Sequence, residues 1–348
     1  MKIGYSFWGF LGPGILDTPD GGRFWRRGIA DELLARGHEL VMLQRDRDLL
    51  EAGMRLPYQW DEGFPALDAL LCEWRWPLPG RNTTVCGSDG HTCDLHRQDD
   101  LLDHYTHKAG TPTVLWDTDR QMSADDPLRA MPHVLVCDPA LLPDPPAAML
   151  PIMVPDALLD AAEPARLTQG DRPLDLAYVG NQYDRDEAFA RFFAPAAAHV
   201  PHRVAGKWTR TLDWPGVNFT GRAAFTEVNG IYGQSVATVL LMPDRYSATG
   251  AISQRLPEAV LAGCLPLTPA TLVNAGQITP PVLHVEDATQ VLERLAWLRE
   301  IQGSRRHVDL ISDCLGRLEL FRTSRQVGVL EQYLTTLTER HAEMDGAR

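Results

Sequence analysis

The chain has 348 residues, 44% hydrophobic and 23% charged, a balance that fits a globular protein of about two domains. Its formal net charge of −13 argues against a broad nucleic-acid surface, because phosphate backbones are bound by clustered Lys and Arg. No apolar run approaches the ~20 residues that span a bilayer, and the start MKIGYSFWGF lacks the basic head and long apolar core of a signal peptide. No membrane span and a cytoplasmic location are therefore expected, with Cys72, Cys86, Cys93, Cys137, Cys264 and Cys314 as free thiols.

Lys2 to Phe7 reads as a strand. A glycine-rich loop follows, carrying Gly9, Gly12, Gly14, Gly21 and Gly22, and leads into a helix from about Arg23 to Arg36. Ile29, Leu33 and Leu34 give that helix an apolar stripe; Gly37 ends it, and Leu40 to Leu43 is the next strand. This is a βαβ unit, so the sheet is expected to be parallel. Its loop lies at the carboxyl end of a strand, where open α/β sheets bind ligands. The glycine spacing is not that of the dinucleotide fingerprint. Strands at Asp68–Trp74, Pro112–Trp116 and His133–Cys137 continue the series, with a helix over Asp94–Tyr105. Prolines 143, 145, 146, 151 and 155 then interrupt the pattern and mark a linker.

A second series of strands and helices begins at Leu174. A strand at Leu176–Val179 runs into Gly180-Asn181-Gln182-Tyr183-Asp184-Arg185, and a helix follows from about Glu187 to Ala198. His202–Ala205 ends in Gly206-Lys207, and Val217–Phe219 ends at Gly221-Arg222. A helix within Ala223–Ser235 precedes a strand at Thr238–Met242. The stretch YSATGAISQRLPEAVLAGCLPLT, Tyr246 to Thr268, then reads as a loop with Thr249 and Gly250, a helix from near Ser253 holding Arg255 and Glu258, a stop at Gly263, and a strand from Leu265. The expected fold is α/β: two Rossmann-like doubly wound domains facing a cleft, over residues 1–155 and 156–348. The helical tail from Val308 to Glu343 is expected to pack back on the first domain.

Cations beside glycine turns at successive strand ends suit a diphosphate, since glycine admits the backbone and the cation neutralises charge. That reasoning selects Gly180, Asn181, Arg185, Gly206, Lys207, Arg222, Gly250 and Arg255, with Glu258 placed to accept hydrogen bonds from a sugar diol. Taken singly, each of these charges reads more readily as a solvated surface group; together, at successive strand ends, they read as a nucleotide diphosphate site. Gly14, Gly21, Gly22 and Arg23 form a candidate phosphate or acceptor loop in the first half.

The segments DLAYVGNQYDR, HRVAGKW, VNFTGR and RLPEAVLAGCLPLT, spanning roughly residues 174–270, resemble the C-terminal half of GT-B glycosyltransferases, in particular the CgeB-like group. GGRFWRRGIADELLARGHELVML looks like the entry of the N-terminal half. The resemblance implies a nucleotide sugar, expected to be a UDP-sugar, held by the C-terminal domain. By the same resemblance Glu258 would bind the ribose, and Arg255 or Lys207 the diphosphate. Many retaining members carry a second acidic residue eight positions before that Glu. Here Gly250 stands in its place, so the sugar-binding carboxylate is absent or supplied elsewhere, for instance by Asp244, and the stereochemical outcome is open.

A hydroxyl acceptor needs a general base. Asp117 and Asp119 follow a buried strand, and Asp17 and Asp20 lie in the first loop. Asp117 and Asp119 have an alternative role in capping the next helix or pairing with Arg120. Glu73 and His91 are candidates for the acceptor side. Cys86, His91, Cys93 and His96 fall close together, but their spacing matches none of the common zinc knuckles, so no metal and no cofactor beyond the co-substrate are expected. The acceptor can be a small molecule, a glycan or a hydroxymethylated base in DNA. Arg23, Arg26 and Arg27, with the aromatics Trp8, Phe24, Trp25, Trp74 and Trp76, would suit a flipped base. A nucleotide-sugar epimerase and a non-catalytic nucleotide-sugar binding protein are the rival readings.

Overall fold

The computed structural model describes residues 1–14 and 21–346. The chain divides into two compact units. The first holds residues 1–14, Trp25–Met153 and the last helix, Thr323–Gly346; the second holds the short turn Gly21–Phe24 together with Val154–Arg322.

Seven strands form the sheet of the first unit: β1 (Lys2–Ser6), β2 (Glu39–Met42), β3 (Gln59–Trp60), β4 (Ala69–Glu73), β5 (Thr113–Trp116), β6 (Val134–Asp138) and β7 (Ala148–Met149). Their order is β3-β2-β1-β4-β5-β6-β7, and every pairing is parallel. β4 and β5 are buried along their whole length, as expected of central parallel strands covered on both faces. Strand order reverses between β1 and β4, which sets the crevice at their carboxyl ends. The helix Arg26–Ala35 buries Ile29 and Leu33 and lies against the last helix. The last helix turns Val327, Leu330, Leu334 and Leu337 inward at helical spacing. Arg36 and His38 meet its Glu331 at 3.1 and 2.9 Å, and Tyr333 donates to the Met149 carbonyl at 3.1 Å.

The second unit has five strands: β8 (Leu174–Val179), β9 (His202–Ala205), β10 (Ser235–Val239), β11 (Leu265–Pro269) and β12 (His284–Val285). They lie in the order β12-β11-β10-β8-β9, again all parallel, with the reversal between β8 and β10. Buried Arg172 ties the base of this unit together by donating to the carbonyls of Leu167, Tyr232, Gly233, Ser235 and Ala262.

Several elements depart from the sequence expectation. β10 begins three residues before Thr238, because Ser235 donates its hydroxyl to the Ile231 carbonyl and so enters the core satisfied. Val217–Phe219 is reduced to a single bridge between Phe219 and Val204. The helix from Asp94 runs on to Lys108 through a widened π turn. The helices Arg47–Ala52 and Ala288–Ile301 were not anticipated; the first is too short for periodicity to register.

Candidate functional site

Backbone hydrogen bonds draw the carboxyl ends of β8 and β9 together. The Gly180 amide donates to the Ala205 carbonyl at 2.8 Å, and the Gly206 amide to that of Gly221 at 2.7 Å. Asn181 Oδ1 accepts from the Lys207 amide at 2.7 Å, and Trp208 Nε1 donates to the Gly180 carbonyl at 2.8 Å. A Cβ on Gly206, whose φ is 145°, would stand 2.1 Å from the Gly180 oxygen. Only glycine permits this approach. Below the two turns Phe189, Trp208, Trp214 and Phe219 pack as an aromatic cluster.

Over this floor lies the start of the helix Arg255–Leu261. Arg255 donates Nε to the Val179 carbonyl at 2.7 Å and Nη1 to Ser253 Oγ at 3.3 Å. Its guanidinium covers Gly180 so closely that a Cβ there would meet Nη2 at 2.4 Å. Glu258 follows one turn later, half-buried, and desolvation pushes its carboxyl up to about 8 despite the nearby Arg255 charge. Arg185, buried, gives one hydrogen bond of 2.6 Å to the Asn181 carbonyl, and desolvation lowers its pKa. Lys207 and Arg222 are exposed. The helix is only seven residues long, so its dipole is modest and the cations must supply most of the positive potential.

The turn Gly21–Phe24 belongs to this same unit. A Cβ on Gly21 would meet Gln254 Nε2 at 2.3 Å, and the Arg23 guanidinium lies 6.0 Å from the Phe225 ring centre. Gly21 is thus brought against the residue that precedes the Arg255 helix, and Arg23 beside Phe225, although about two hundred residues or more separate each pair in sequence. Gly250 has φ 71°, and a Cβ there would lie 2.7 Å from the Val273 oxygen. An acidic side chain at that position would be strained, which accounts physically for its absence. Asp244 is exposed just past β10, at the start of the short helix Asp244–Ser247.

The first-unit candidates are more dispersed. Glu73, 2% exposed, forms a bidentate pair with Arg26 at 2.8–3.1 Å and accepts from Tyr5 Oη at 2.7 Å. It braces the β1/β4 crevice from within, and both of its oxygens have buried partners. Asp117, 3% exposed, accepts from the amides of Gln121 and Met122 at 2.9 and 2.8 Å, and burial raises its pKa. Asp119 is half-buried in the same turn, while the Arg120 guanidinium pairs with Asp138 and Asp144. His91 sits beside Thr84 and Cys93 and joins Cys86 and His96 in a cluster of four metal-binding side chains. Gly14 packs on Met54. Asp17 and Asp20 lie outside the described residues. Sequence reasoning missed Asp48, which accepts from the amides of Leu11 and Gly12 at 2.9 Å and so fixes the start of the first loop. It also missed Trp208 and Gln254. Trp208 had a visible signal, an aromatic directly after a strand-glycine-lysine turn; Gln254 had none.

No family model and no curated protein matches the chain. Solved structures do match it over almost its whole length. The phage T4 β-glucosyltransferase BGT, in complex with UDP and Mn2+, superimposes with a TM-score of 0.63 at 12% identity, over 96% of this chain and 99% of that one. AviGT4, a glycosyltransferase of avilamycin A biosynthesis, gives 0.59 at 13% identity over 97% and 98%. An α-glucosyltransferase in complex with UDP-glucose and DNA containing an abasic site gives 0.59 at 10% over 96% and 98%. At such identities the likeness defines the fold, and the fold is the GT-B fold of glycosyltransferases. Among the described residues, no helix is long and apolar enough to cross a membrane.

Proposed function

We propose that the chain is a glycosyltransferase that moves a sugar from a UDP-sugar to a hydroxyl acceptor. The observation that carries this reading is the convergence of Gly180, Gly206, Arg255 and Glu258 where β8, β9 and the Arg255 helix meet. The acceptor oxygen attacks the anomeric carbon, the bond from that carbon to the diphosphate breaks, and UDP leaves with the electron pair. Lys207 and Arg255 would neutralise the leaving diphosphate, with Arg185 and Arg222 at the margin and Gly21, Gly22 and Arg23 alongside. Preorganised cations of this kind stabilise charge where it develops. Glu258 would hold the ribose hydroxyls, and Asn181 shapes the turn beneath them. The acceptor proton passes to a carboxylate, for which Asp117, Asp119 and Asp20 are the candidates. Burial moves Asp117 in the direction a base needs at neutral pH. Kinship to the CgeB-like group, narrower than the fold, rests on the motif residues within 174–270.

A hydroxymethylated base in duplex DNA is the alternative acceptor: a DNA-modifying β-glucosyltransferase and a DNA-bound α-glucosyltransferase share this fold along nearly the whole chain, as AviGT4 does, while the net charge of −13 weighs against a broad DNA surface. Product analysis with a panel of UDP-, GDP- and TDP-sugars tests the proposal. The expected result is free UDP with glycosylated product when hydroxymethylated duplex, or another hydroxyl acceptor, is present. Epimerised donor formed without any acceptor would make the chain an epimerase. Tight donor binding with no nucleotide released under any condition would make it a binding protein.

A further inference from the structure

Between β4 and the helix Asp94–Leu101 the chain runs twenty residues with no strand or helix of its own. So long an irregular loop in a compact domain needs something other than an apolar core to hold it. Four side chains meet there. The donor atoms of Cys86, His91, Cys93 and His96 all lie within 4.8 Å of one another. Cys86 Sγ stands 3.1 Å from His96 Nδ1, and His91 Nε2 stands 3.1 Å from Cys93 Sγ.

We propose that these four residues bind one zinc ion in a tetrahedral site of two thiolates and two imidazoles. Zinc bonds of about 2.3 Å to sulfur and about 2.0 Å to nitrogen place neighbouring donors about 3.6 Å apart. The two 3.1 Å pairs lie about half an ångström inside that separation, and the rest of the cluster, within 4.8 Å, at most about 1.2 Å outside it, so shifts of about an ångström or less close it on the metal. Two thiolates and two imidazoles select zinc over calcium and magnesium, which prefer oxygen ligands. With four protein ligands there is no open position, so the site is structural. Each thiol gives up its proton to solvent on binding.

The surroundings agree with a built site. Thr84 Oγ1 lies 3.0 Å from His91 Nδ1, which leaves Nε2 to face the cysteines. Gly87 and Gly90, with φ of 85° and 74°, shape the turns that bring His91 back toward Cys86. Behind the cluster Asp94 is buried, paired with Arg75 at 2.9 Å, and accepts from Thr92 Oγ1 at 2.6 Å. That anchor fixes the start of the helix, which carries Cys93 and His96 at its first turn. The linear spacing, Cys-x4-His-x-Cys-x2-His, resembles no common knuckle because the loop folds back on itself before the helix begins. The inference is independent of the transfer reaction.

The full chain, purified under reducing conditions and loaded with zinc, should hold about one metal per chain by elemental analysis. The double variant C86S/C93S should fall to background, and H107N, a histidine in the same unit outside the cluster, should retain the metal. Cobalt(II) in place of zinc should show the intense ligand-field bands of a tetrahedral site and a thiolate-to-metal charge-transfer band. If the double variant does not fold, the wild-type chain suffices: chelation should lower its melting temperature and re-addition of zinc should restore it. Absence of stoichiometric metal after loading, a cobalt spectrum without thiolate character, or a Cys86–Cys93 disulfide in place of metal would each overturn the assignment.

Discussion

Glu258 is the residue whose replacement tests the donor site most sharply. Its carboxyl is pushed up to about 8 by desolvation, so at pH 6.5 it holds a proton. To accept hydrogen bonds from a ribose diol as a carboxylate it must first lose that proton. At pH 6.5 this costs about 1.36 kcal/mol for each of the 1.5 units separating pH from pKa, or about 2 kcal/mol, a factor of roughly 30. Hydrogen bonds to a charged group contribute about 1.5–3 kcal/mol. Affinity for a UDP-sugar, measured by calorimetry, should therefore rise by up to tenfold per pH unit from about pH 6.5 to 8 and then level off. The variant E258Q keeps size and removes charge. It should bind roughly 10- to 100-fold more weakly than the wild type above pH 8, with the gap closing to a few-fold near pH 6.5. A deficit of equal size at every pH, or an unchanged affinity, would refute the reasoning.

Replacing Glu73 with Gln removes the charge opposite buried Arg26 and should destabilise the chain by about 3–5 kcal/mol, read by denaturant unfolding. Unchanged stability with lost transfer would instead assign Glu73 a role on the acceptor side. Gly206→Ala drives a methyl against the Gly180 oxygen and should cost about 1–3 kcal/mol of stability while weakening UDP-sugar binding; a variant that melts and binds like the wild type would contradict the close approach. His307 is buried, and desolvation lowers its pKa to about 4 from an ordinary 6.5. Its native ring stays neutral where the unfolded chain takes up a proton, so stability should be lost as pH falls from about 6.5 to 4, by at most about 1.4 kcal/mol per unit. His307→Asn should flatten that part of the pH profile, and an unaltered profile would rule the residue out as its source.

Much of the fold was legible because its signals are local. A buried parallel strand is a short apolar run, and a helix declares itself by spacing and by the glycine that ends it; β1, β4, β5, β8, β9 and the Arg255 helix were all found in this way. The strand-end glycines were equally visible, since a turn at the end of a parallel strand needs residues that tolerate positive φ. What each polar residue touches was not visible. Glu73 and Asp117 have the same signature, a carboxylate at the end of a buried strand, yet one is paired with Arg26 from a distant helix and the other is held by amides of its own turn.

The amino-acid order alone therefore determined the two series of alternating strands and helices, the parallel sheets and the glycine turns, because each depends on residues within a few positions of one another. Only the tertiary structure decided that Gly21 lies against Gln254, that Arg255 covers Gly180, and that two cysteines and two histidines of irregular spacing converge. Those contacts join residues through space, and their energies depend on burial and on loop paths that no local pattern encodes.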